Sequence, residues 1–410
     1  MTYTESLDWL YGLQVHGIIL GLENIQRLCE ALGVETRSSD QRRFIHVAGT
    51  NGKGSVCAIA AAMLCASGKR TGLYTSPHLV NFRERIRLGR NLIPEAQVAE
   101  GLSDIRTLTA NWERSVTFFE ATTALALAWF QRQHAEWVVL ETGLGGRLDA
   151  TNVVTPAVSV ITAIGLDHTH YLGTTLAAVA GEKAGIIKRG VPVVSSPQEP
   201  EAEAVIREAA AQLDAPLTRI SNPVADNCEL ALAGSHQRMN AAVAFAAIVA
   251  AGLRPDPRAI YDALRVVEWP GRFQRVGDGR IILDGAHNPH AARRLAETWR
   301  EVFPSEKAVL ILGAMADKDI AGICEALAPI ASRILCVPVA NPRSATAEVL
   351  AEVARPFADS AELSTHPSLA AALAAAGENA RILIAGSLFL IGEALVHFGL
   401  AEPDGRTTSQ

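Results

Sequence analysis

The chain has 410 residues, and its 43 Asp and Glu residues outnumber its 37 Lys and Arg residues, which gives a formal net charge of −6. This balance excludes a generally basic nucleic-acid binder, so we expect no nucleic-acid partner. With 49% hydrophobic and 20% charged residues, the chain can build a packed core and is unlike an intrinsically disordered protein. At about 100–200 residues per domain, the length predicts two or three domains.

Signals for export or membrane insertion are not evident in the sequence. The first five residues lack a basic segment followed by an apolar stretch. The longest apolar runs, 241–253 and 382–391, are shorter than the ~18 residues that a membrane helix needs. We therefore expect a cytoplasmic protein that does not contact a membrane, and we expect it to be a monomer.

Strand-like apolar runs alternate with helical segments along most of the chain, which is typical of a parallel sheet covered by helices. The sequence therefore predicts an α/β fold. In the first half the predicted strands are 44–48, 71–75, 137–140, 158–164 and 191–195. In the second half they are 280–283, 308–312, 333–339 and 381–385.

A helical stretch, 236–267, separates the two sets of strands and is followed by Pro270 and Gly271. This pair breaks a helix and begins an extended connection. Because four further strand–helix units follow, we predict one domain over 1–269 and a second over 270–410. An internal turn at Pro270 is the alternative interpretation.

A glycine-rich loop follows the first strand directly and leads into a predicted helix that begins at Val56. This arrangement favours the binding of phosphate. The glycines let backbone N–H groups turn toward an anion, the helix N-terminus adds its dipole, and a lysine and a hydroxyl supply a positive charge and a further donor. The order departs from the usual phosphate-loop pattern, because Gly54 separates Lys53 from Ser55. A glycine-rich turn with a surface lysine is the alternative. The loop residues are Gly49, Thr50, Asn51, Gly52, Lys53, Gly54 and Ser55.

Polar residues follow other predicted strands, at the sheet edge where parallel sheets bind ligands. Ser76 follows strand 71–75, Glu141 follows 137–140, and His168 comes four residues after 158–164. A carboxylate at the end of an apolar strand needs a cation opposite, and Mg²⁺ bridging nucleotide phosphates would supply it. His168 is either a metal ligand or a hydrogen-bonded loop residue.

Lys183 lies in a predicted helix, 178–187, and is followed by Ala-Gly-Ile-Ile. These small and apolar neighbours indicate a partly buried setting, which would lower the pKa of the amine and make it reactive. The alternative is an ordinary solvated helix lysine.

Taken together, the motifs resemble the dihydrofolate synthase/folylpolyglutamate synthase family of the Mur ligase superfamily. The motifs that carry the resemblance run in order through nearly the whole chain: 46–55, 75–79, 141–152, 165–168, 182–186, 270–274, 284–290 and 385–387. The resemblance implies an N-terminal P-loop ATPase domain with a mainly parallel sheet and a smaller C-terminal Rossmann-like α/β domain. It also implies that ATP phosphorylates an acid and that glutamate attacks the acyl phosphate.

The resemblance assigns roles residue by residue. ATP would be bound by Thr50, Asn51, Gly52, Lys53, Gly54, Ser55, Asn240, Arg272 and Asp284. Ser76, Glu141, His168 and Lys183, as a CO₂-derived carbamate, would hold two Mg²⁺ ions. Lys53, Lys183 and His287 would be catalytic. The pterin would contact Gly17, Ile18, Ile19, Leu20, Thr117, Phe118, Phe119, Glu120, Leu148, Asp149 and Ala150.

The segment Leu148-Asp149-Ala150 resembles that of members that accept dihydropteroate, so we expect glutamate addition to both dihydropteroate and reduced folates. The alternatives are a ligase limited to folates, another Mur-type amide ligase, and a non-catalytic nucleotide-binding protein. Only 48 residues precede Gly49, so we expect no additional UDP-sugar-binding domain there.

Overall fold

A computed structural model of the chain describes residues 1–16, 21–358, 361–377 and 379–403. The chain divides into two compact units. Unit 1 consists of Met1–His78, Arg83–Leu230 and Arg238–Val267, and unit 2 consists of Leu79–Phe82, Ala231–Gln237 and the chain from Glu268. A single boundary near residue 270 does not anticipate the two short segments of unit 2, and the bounds 1–269 and 270–410 stay a prediction.

The described part of unit 1 contains an eight-stranded sheet with the strand order β4-β3-β2-β5-β1-β6-β7-β8. Six neighbouring strands, from β2 to β8 in this order, run parallel, and β3 and β4 form an antiparallel edge. The strands are β1 (Arg43–Ala48), β2 (Thr71–Tyr74), β3 (Ile86–Leu88), β4 (Asn91–Leu92), β5 (Trp137–Glu141), β6 (Val158–Ile161), β7 (Val193–Ser195) and β8 (Leu217–Arg219).

Helices cover this sheet, and the central strands are buried because they are apolar on both faces. Helix α3 is buried along most of its length, including Val56, Ile59 and Met63. The helices are α1 (Tyr3–Gly12), α2 (Glu23–Ala31), α3 (Lys53–Ala66), α4 (Glu95–Thr109), α5 (Phe118–Arg132), α6 (Thr169–Leu172), α7 (Leu176–Ala184), α8 (Pro200–Gln212), α9 (Ser235–Ala250) and α10 (Pro257–Val266). Residues 235–237 of α9 belong to unit 2.

Among its described residues, unit 2 has a six-stranded sheet of order β13-β12-β11-β14-β10-β9, in which β9 alone pairs antiparallel. Its strands are β9 (Gln274–Val276), β10 (Ile281–Leu283), β11 (Ala308–Leu312), β12 (Ala331–Cys336), β13 (Glu362–Thr365) and β14 (Ile382–Ala385). Its helices are α11 (Pro289–Val302), α12 (Ile320–Leu327), α13 (Ala347–Ala354), α14 (Leu369–Ala376) and α15 (Leu388–His397). Core clusters lie on both faces of this sheet.

The predicted α/β fold is confirmed, including the mainly parallel first sheet and a second α/β sheet. Two bounds differ in ways that affect the site. Helix α3 begins at Lys53 and not at Val56, and β6 ends at Ile161, so His168 lies seven residues beyond its strand. Within the described residues, no helix combines the length and hydropathy that crossing a bilayer requires.

Candidate nucleotide and substrate site

The phosphate loop connects the end of β1 at Ala48 to the start of α3 at Lys53. Gly52 precedes the helix with a φ of 87°, a left-handed conformation that favours glycine. A Cβ atom at Gly52 would lie 2.8 Å from Oδ1 of Asn240. The glycine therefore turns the chain into the helix and also lets the Asn240 side chain reach the loop.

The loop is anchored to the segment that follows β6. The N–H groups of Thr50 and Asn51 donate to the carbonyl of Ala163 at 3.0 and 3.1 Å. The Thr50 hydroxyl donates to the carbonyl of Gly165 at 2.8 Å. Beyond this anchor, the N-terminus of the 14-residue helix α3 presents N–H groups and the positive end of the helix dipole, which favours an anion.

Two lysine amines meet at one carbonyl oxygen of this loop. Nζ of Lys53 donates to the carbonyls of Gly49 and Thr50 at 3.0 and 3.2 Å. Nζ of Lys183, from α7, donates to the same Gly49 oxygen at 2.9 Å. The structure thus brings together the two predicted catalytic lysines, although 130 positions separate them in the sequence.

Lys183 is buried, with 4% of its surface exposed. Burial, and to a smaller extent the nearby positive charge of Lys53, lowers the pKa of its amine to about 7. The acidic groups of Asp167, Asp149 and Glu182 oppose this shift. A large fraction of the Lys183 amine is therefore unprotonated and nucleophilic near neutral pH.

Two of the predicted metal ligands lie next to each other at the ends of β2 and β5. Glu141 is buried, and its Oε2 accepts a hydrogen bond from the N–H of Ser76 at 3.1 Å. The Ser76–Pro77 peptide bond is cis. A carboxylate beside a hydroxyl offers the oxygen ligands that Mg²⁺ prefers, so these two residues fit the predicted metal.

His168 has a φ of 50° and caps the short helix α6. Its N–H donates to Oδ1 of Asp167 at 2.8 Å, and its Nε2 lies 4.0 Å from that oxygen. In the described ranges, no group of three or more His, Cys, Asp and Glu side chains is arranged to hold a metal. The predicted ligand set contains only two such residues, with Ser76 and a modified Lys183 as the others, and it stays a prediction.

Thr117 and Glu120, which the family resemblance assigns to the pterin site, form the cap of α5. The Thr117 hydroxyl accepts from the N–H of Glu120 at 3.2 Å, and the Glu120 carboxylate accepts from the N–H of Thr117 at 2.7 Å. This reciprocal pair is a capping box, and both residues are buried. They have a clear structural role, and their contact with a pterin stays a prediction.

The two aromatic residues of this segment are half-buried and have different neighbours. Phe118 stacks on Tyr11 with ring centroids 5.5 Å apart, and the guanidinium carbon of Arg85 lies 5.2 Å from the Phe118 ring centroid. Phe119 lies against the backbone of Gly143, where an added Cβ atom would be 2.6 Å from its ring. A side chain at position 143 would therefore force the Phe119 ring to move.

The buried carboxylate of Asp149 holds the glycine-rich loop that follows β5. Its Oδ2 accepts from the N–H groups of Gly143 and Leu144 at 2.8 and 2.9 Å. Its Oδ1 accepts from the N–H and the hydroxyl of Thr151 at 3.0 and 2.5 Å. Burial raises the pKa of Asp149, and these hydrogen bonds oppose the rise. Four donors already occupy the side chain that the family resemblance assigns to pterin binding.

His46, a fully buried residue of β1, belongs to the motif 46–55 but has no role assigned from the sequence. Its Nε2 lies 2.8 Å from the Thr151 hydroxyl, which gives its own proton to Asp149. The Nε2 therefore carries the imidazole proton, and Nδ1 has no hydrogen-bond partner among the described residues. Burial first and the charge of Lys188 second lower the pKa of His46 to about 3, so it stays neutral. Only its position in a strand before the phosphate loop could have drawn attention to it.

The other residues predicted to contact the pterin differ in their exposure, and some are not described by the structure. Leu148 is 38% exposed and Ala150 is buried. Gly17, Ile18, Ile19 and Leu20 lie outside the described residues.

In unit 2, Asp284 follows β10 and is fixed by backbone donors. Its carboxylate oxygens accept from the N–H groups of Phe273 and Ala286 at 2.8 and 2.9 Å. Burial raises the pKa of Asp284, and the charge of Arg272 opposes this rise. Nδ1 of His287 donates to the carbonyl of Gly285 at 2.8 Å.

Two family models match this chain. The Mur ligase middle domain matches residues 47–212, and the Mur ligase, glutamate ligase domain matches residues 271–388. The Escherichia coli (strain K12) dihydrofolate synthase/folylpolyglutamate synthase is 37% identical over 362 residues, which cover 84% of each chain.

Solved structures are similar over nearly the whole chain. The E. coli FolC complex with DHPP and ADP has a TM-score of 0.85 and 34% identity, and covers 96% of this chain and 97% of that one. The Yersinia pestis bifunctional enzyme with AMPPNP and a Mn ion has a TM-score of 0.86 and 32% identity, covering 98% of both chains. With both Mur ligase domains present and this identity over most of its length, the chain belongs to the dihydrofolate synthase/folylpolyglutamate synthase family of Mur ligases.

Proposed function

We propose that this chain uses ATP to add L-glutamate to 7,8-dihydropteroate, forming dihydrofolate, and to reduced folates, extending their glutamate chain. The observation that carries the proposal is the phosphate loop with both Lys53 and Lys183 on the Gly49 carbonyl. The chain's membership of this ligase family supports the choice of acid and amino acid.

The reaction has two steps. A carboxylate oxygen of the acid attacks the γ-phosphorus of ATP, and the bond to ADP breaks. The amine of glutamate then attacks the acyl carbon, loses a proton, and displaces phosphate that carries one oxygen from the acid. The first step brings two anions together, so we assign charge neutralisation to Lys53 and the N-terminus of α3.

Two Mg²⁺ ions would be held by Ser76, Glu141, His168 and Lys183 as a carbamate. When bound, these ions would offset the negative charge of the phosphates. The Mn ion in the Y. pestis relative supports a divalent cation in this chain. The carbamate forms when the neutral Lys183 amine attacks CO₂ and releases one proton, and the lowered pKa of this amine supports that reaction.

The remaining predicted residues complete the proposal. We assign Asn51, Asn240, Arg272 and Asp284 to ATP, and we assign His287 to the incoming glutamate. The pterin would lie near Phe118, Phe119 and Leu148–Ala150. We further propose domains over 1–269 and 270–410, a monomer, and a cytoplasmic location.

A product assay tests this function. Purified chain is given Mg-ATP and L-glutamate with dihydropteroate or with tetrahydrofolate, and products are identified by mass. We expect each acid to gain one glutamyl residue with release of one phosphate. Turnover with tetrahydrofolate alone would favour a ligase limited to folates, and no glutamyl product from either acid would refute the proposal.

Isotope transfer tests the acyl phosphate separately. Dihydropteroate labelled with ¹⁸O in its carboxylate should transfer one labelled oxygen to the released phosphate. Unlabelled phosphate accompanying labelled product would exclude phosphorylation of the acid.

A further inference from the structure

Arg85 is a buried arginine that none of the assigned roles uses. It immediately precedes β3, and only 2% of its surface is exposed. Its backbone carbonyl accepts from the N–H of Thr75 at 3.0 Å. Arg85 therefore lies beside the end of β2. The residue it contacts there, Thr75, directly precedes Ser76, and Ser76 is hydrogen-bonded to Glu141.

One edge of the Arg85 guanidinium is fixed by His78. The Nε of Arg85 donates to Nδ1 of His78 at 2.7 Å, and Nε2 of His78 lies 3.4 Å from the Tyr11 hydroxyl. Because the Nε of Arg85 can only donate, Nδ1 of His78 is the acceptor, so His78 orients the guanidinium and supplies no negative charge to it.

The other edge of the guanidinium faces the ring of Phe118. Within the described ranges, Nη1 and Nη2 of Arg85 make no hydrogen bond or ion pair. The negative charges of Glu84 and Glu141 act on the guanidinium without pairing with it. A buried guanidinium is costly unless an anion pairs with it, and an aromatic face offsets only part of that cost. Two parallel N–H donors suit a carboxylate in bidentate geometry.

We propose that Arg85 binds the carboxylate of the acid substrate, the group that ATP phosphorylates. This role rests on the proposed function. Arg85 contacts Phe118, which we assign to the pterin, and lies next to the Ser76–Glu141 pair, which we assign to the metal. The acid must place its carboxylate between those two groups. The incoming glutamate also carries carboxylates, so the experiment separates the two sources.

The test compares Arg85→Gln and Arg85→Lys with Arg87→Gln, a matched control two positions along the chain on β3. We expect Arg85→Gln to raise the KM for dihydropteroate about 10- to 100-fold, because a charge-assisted hydrogen-bond pair is lost. Arg85→Lys should have a smaller effect, and Arg87→Gln less than about 3-fold. The Kd for ATP, measured on each variant, should stay within about 3-fold of wild type, which also confirms folding.

A carboxyl-free analogue, in which aniline replaces the benzoate of dihydropteroate, makes the test specific. Wild type should bind dihydropteroate more tightly than the analogue, and Arg85→Gln should bind the two equally. If Arg85→Gln does not fold, the same comparison in Arg85→Lys should show a reduced preference. If Arg85→Gln prefers dihydropteroate over the analogue as strongly as wild type does, or if only its KM for glutamate rises, Arg85 does not bind the carboxylate of the acid. Wild type would still form product in either case. Absence of product from wild type would instead refute the proposed function.

Discussion

Two glycine-rich loops of unit 1 are held in place by opposite chemistry. In the phosphate loop after β1, the amines of Lys53 and Lys183 donate to backbone carbonyls. In the loop after β5, the carboxylate of Asp149 accepts from the backbone N–H groups of Gly143 and Leu144.

Because of this difference, the lysines of the phosphate loop can exchange their hydrogen-bond partners for a ligand, whereas the carboxylate that holds the loop after β5 cannot. A lysine amine bound to carbonyls can turn to a phosphate oxygen, because a phosphate anion is a stronger partner than a neutral carbonyl. The buried Asp149 has all four of its hydrogen bonds within the protein. We therefore expect changes at the first loop to reduce activity, and changes at the second to reduce stability.

The largest effect is expected at the first loop. Lys53→Met should lower kcat/KM about 10²- to 10³-fold, because the charge that opposes the transferring phosphoryl group is lost. The free energy of unfolding should change by less than about 1 kcal/mol. Phosphate release and urea unfolding measure both quantities, with Lys69→Met, at an exposed ion pair with Glu136, as control. A rate loss below about 10-fold would contradict the exchangeable role of Lys53.

The second loop should show the reverse pattern. Asp149→Asn should lower the free energy of unfolding by about 3 kcal/mol, because one carboxylate oxygen that accepts two hydrogen bonds becomes an NH₂ donor. The Kd for ATP should change by less than about 3-fold. Urea unfolding and calorimetry measure these values, with the exposed Asp40→Asn as control. A stable Asp149→Asn protein with impaired ATP binding would reverse the comparison.

Lys183 adds a pH dependence to the first loop. Its pKa in the folded chain is about 7, below the ordinary value of 10.5, so the unfolded chain binds more protons between these values. In CO₂-free buffer, stability should therefore rise by about 2 kcal/mol more from pH 7 to pH 9 in wild type than in Lys183→Met. Urea unfolding at several pH values tests this, and parallel curves for the two proteins would exclude the lowered pKa.

The smallest effect concerns the support of the second loop by His46. Thr151→Val removes the hydroxyl between His46 and Asp149 and should cost about 1–2 kcal/mol of stability. Combined with His46→Leu, it should show a coupling energy of about 1 kcal/mol, because both changes break the same chain of hydrogen bonds. Additive losses in the double-mutant cycle would mean that His46 and Thr151 act independently.

The sequence predicts the parts of this site that depend on local pattern. A strand, a glycine-rich loop and Lys53 stand together in the chain, and Ser76 and Glu141 each follow a strand, so their edge of the sheet could be inferred. The parallel order of β2, β5 and β1 then brings them close. The confirmed α/β fold rests on the same alternation of strands and helices.

Contacts over long sequence distances could not be predicted in this way. Arg85 stands close to Arg83 and Arg87 in the sequence, and only tertiary packing against His78 and Phe118 buries it. The pairing of His46 with Thr151 spans 105 positions. The capping role of Glu120 is predictable from its spacing to Thr117, whereas the family resemblance assigns both residues to the pterin.

His46, whose Nδ1 has no hydrogen-bond partner in the part of the chain that the structure describes, is also a spectroscopic reporter. A neutral imidazole with its proton on Nε2 has distinct ¹⁵N resonances for its two ring nitrogens, and a pKa of about 3 keeps them constant across the working pH range. With selective ¹⁵N-histidine labelling, the ¹⁵N resonances of His46 should therefore keep the same chemical shifts as the pH changes. Because the ring is linked through Thr151 to Asp149, a shift of that signal on adding a pterin acid would report, from inside the sheet, whether the loop after β5 responds to substrate.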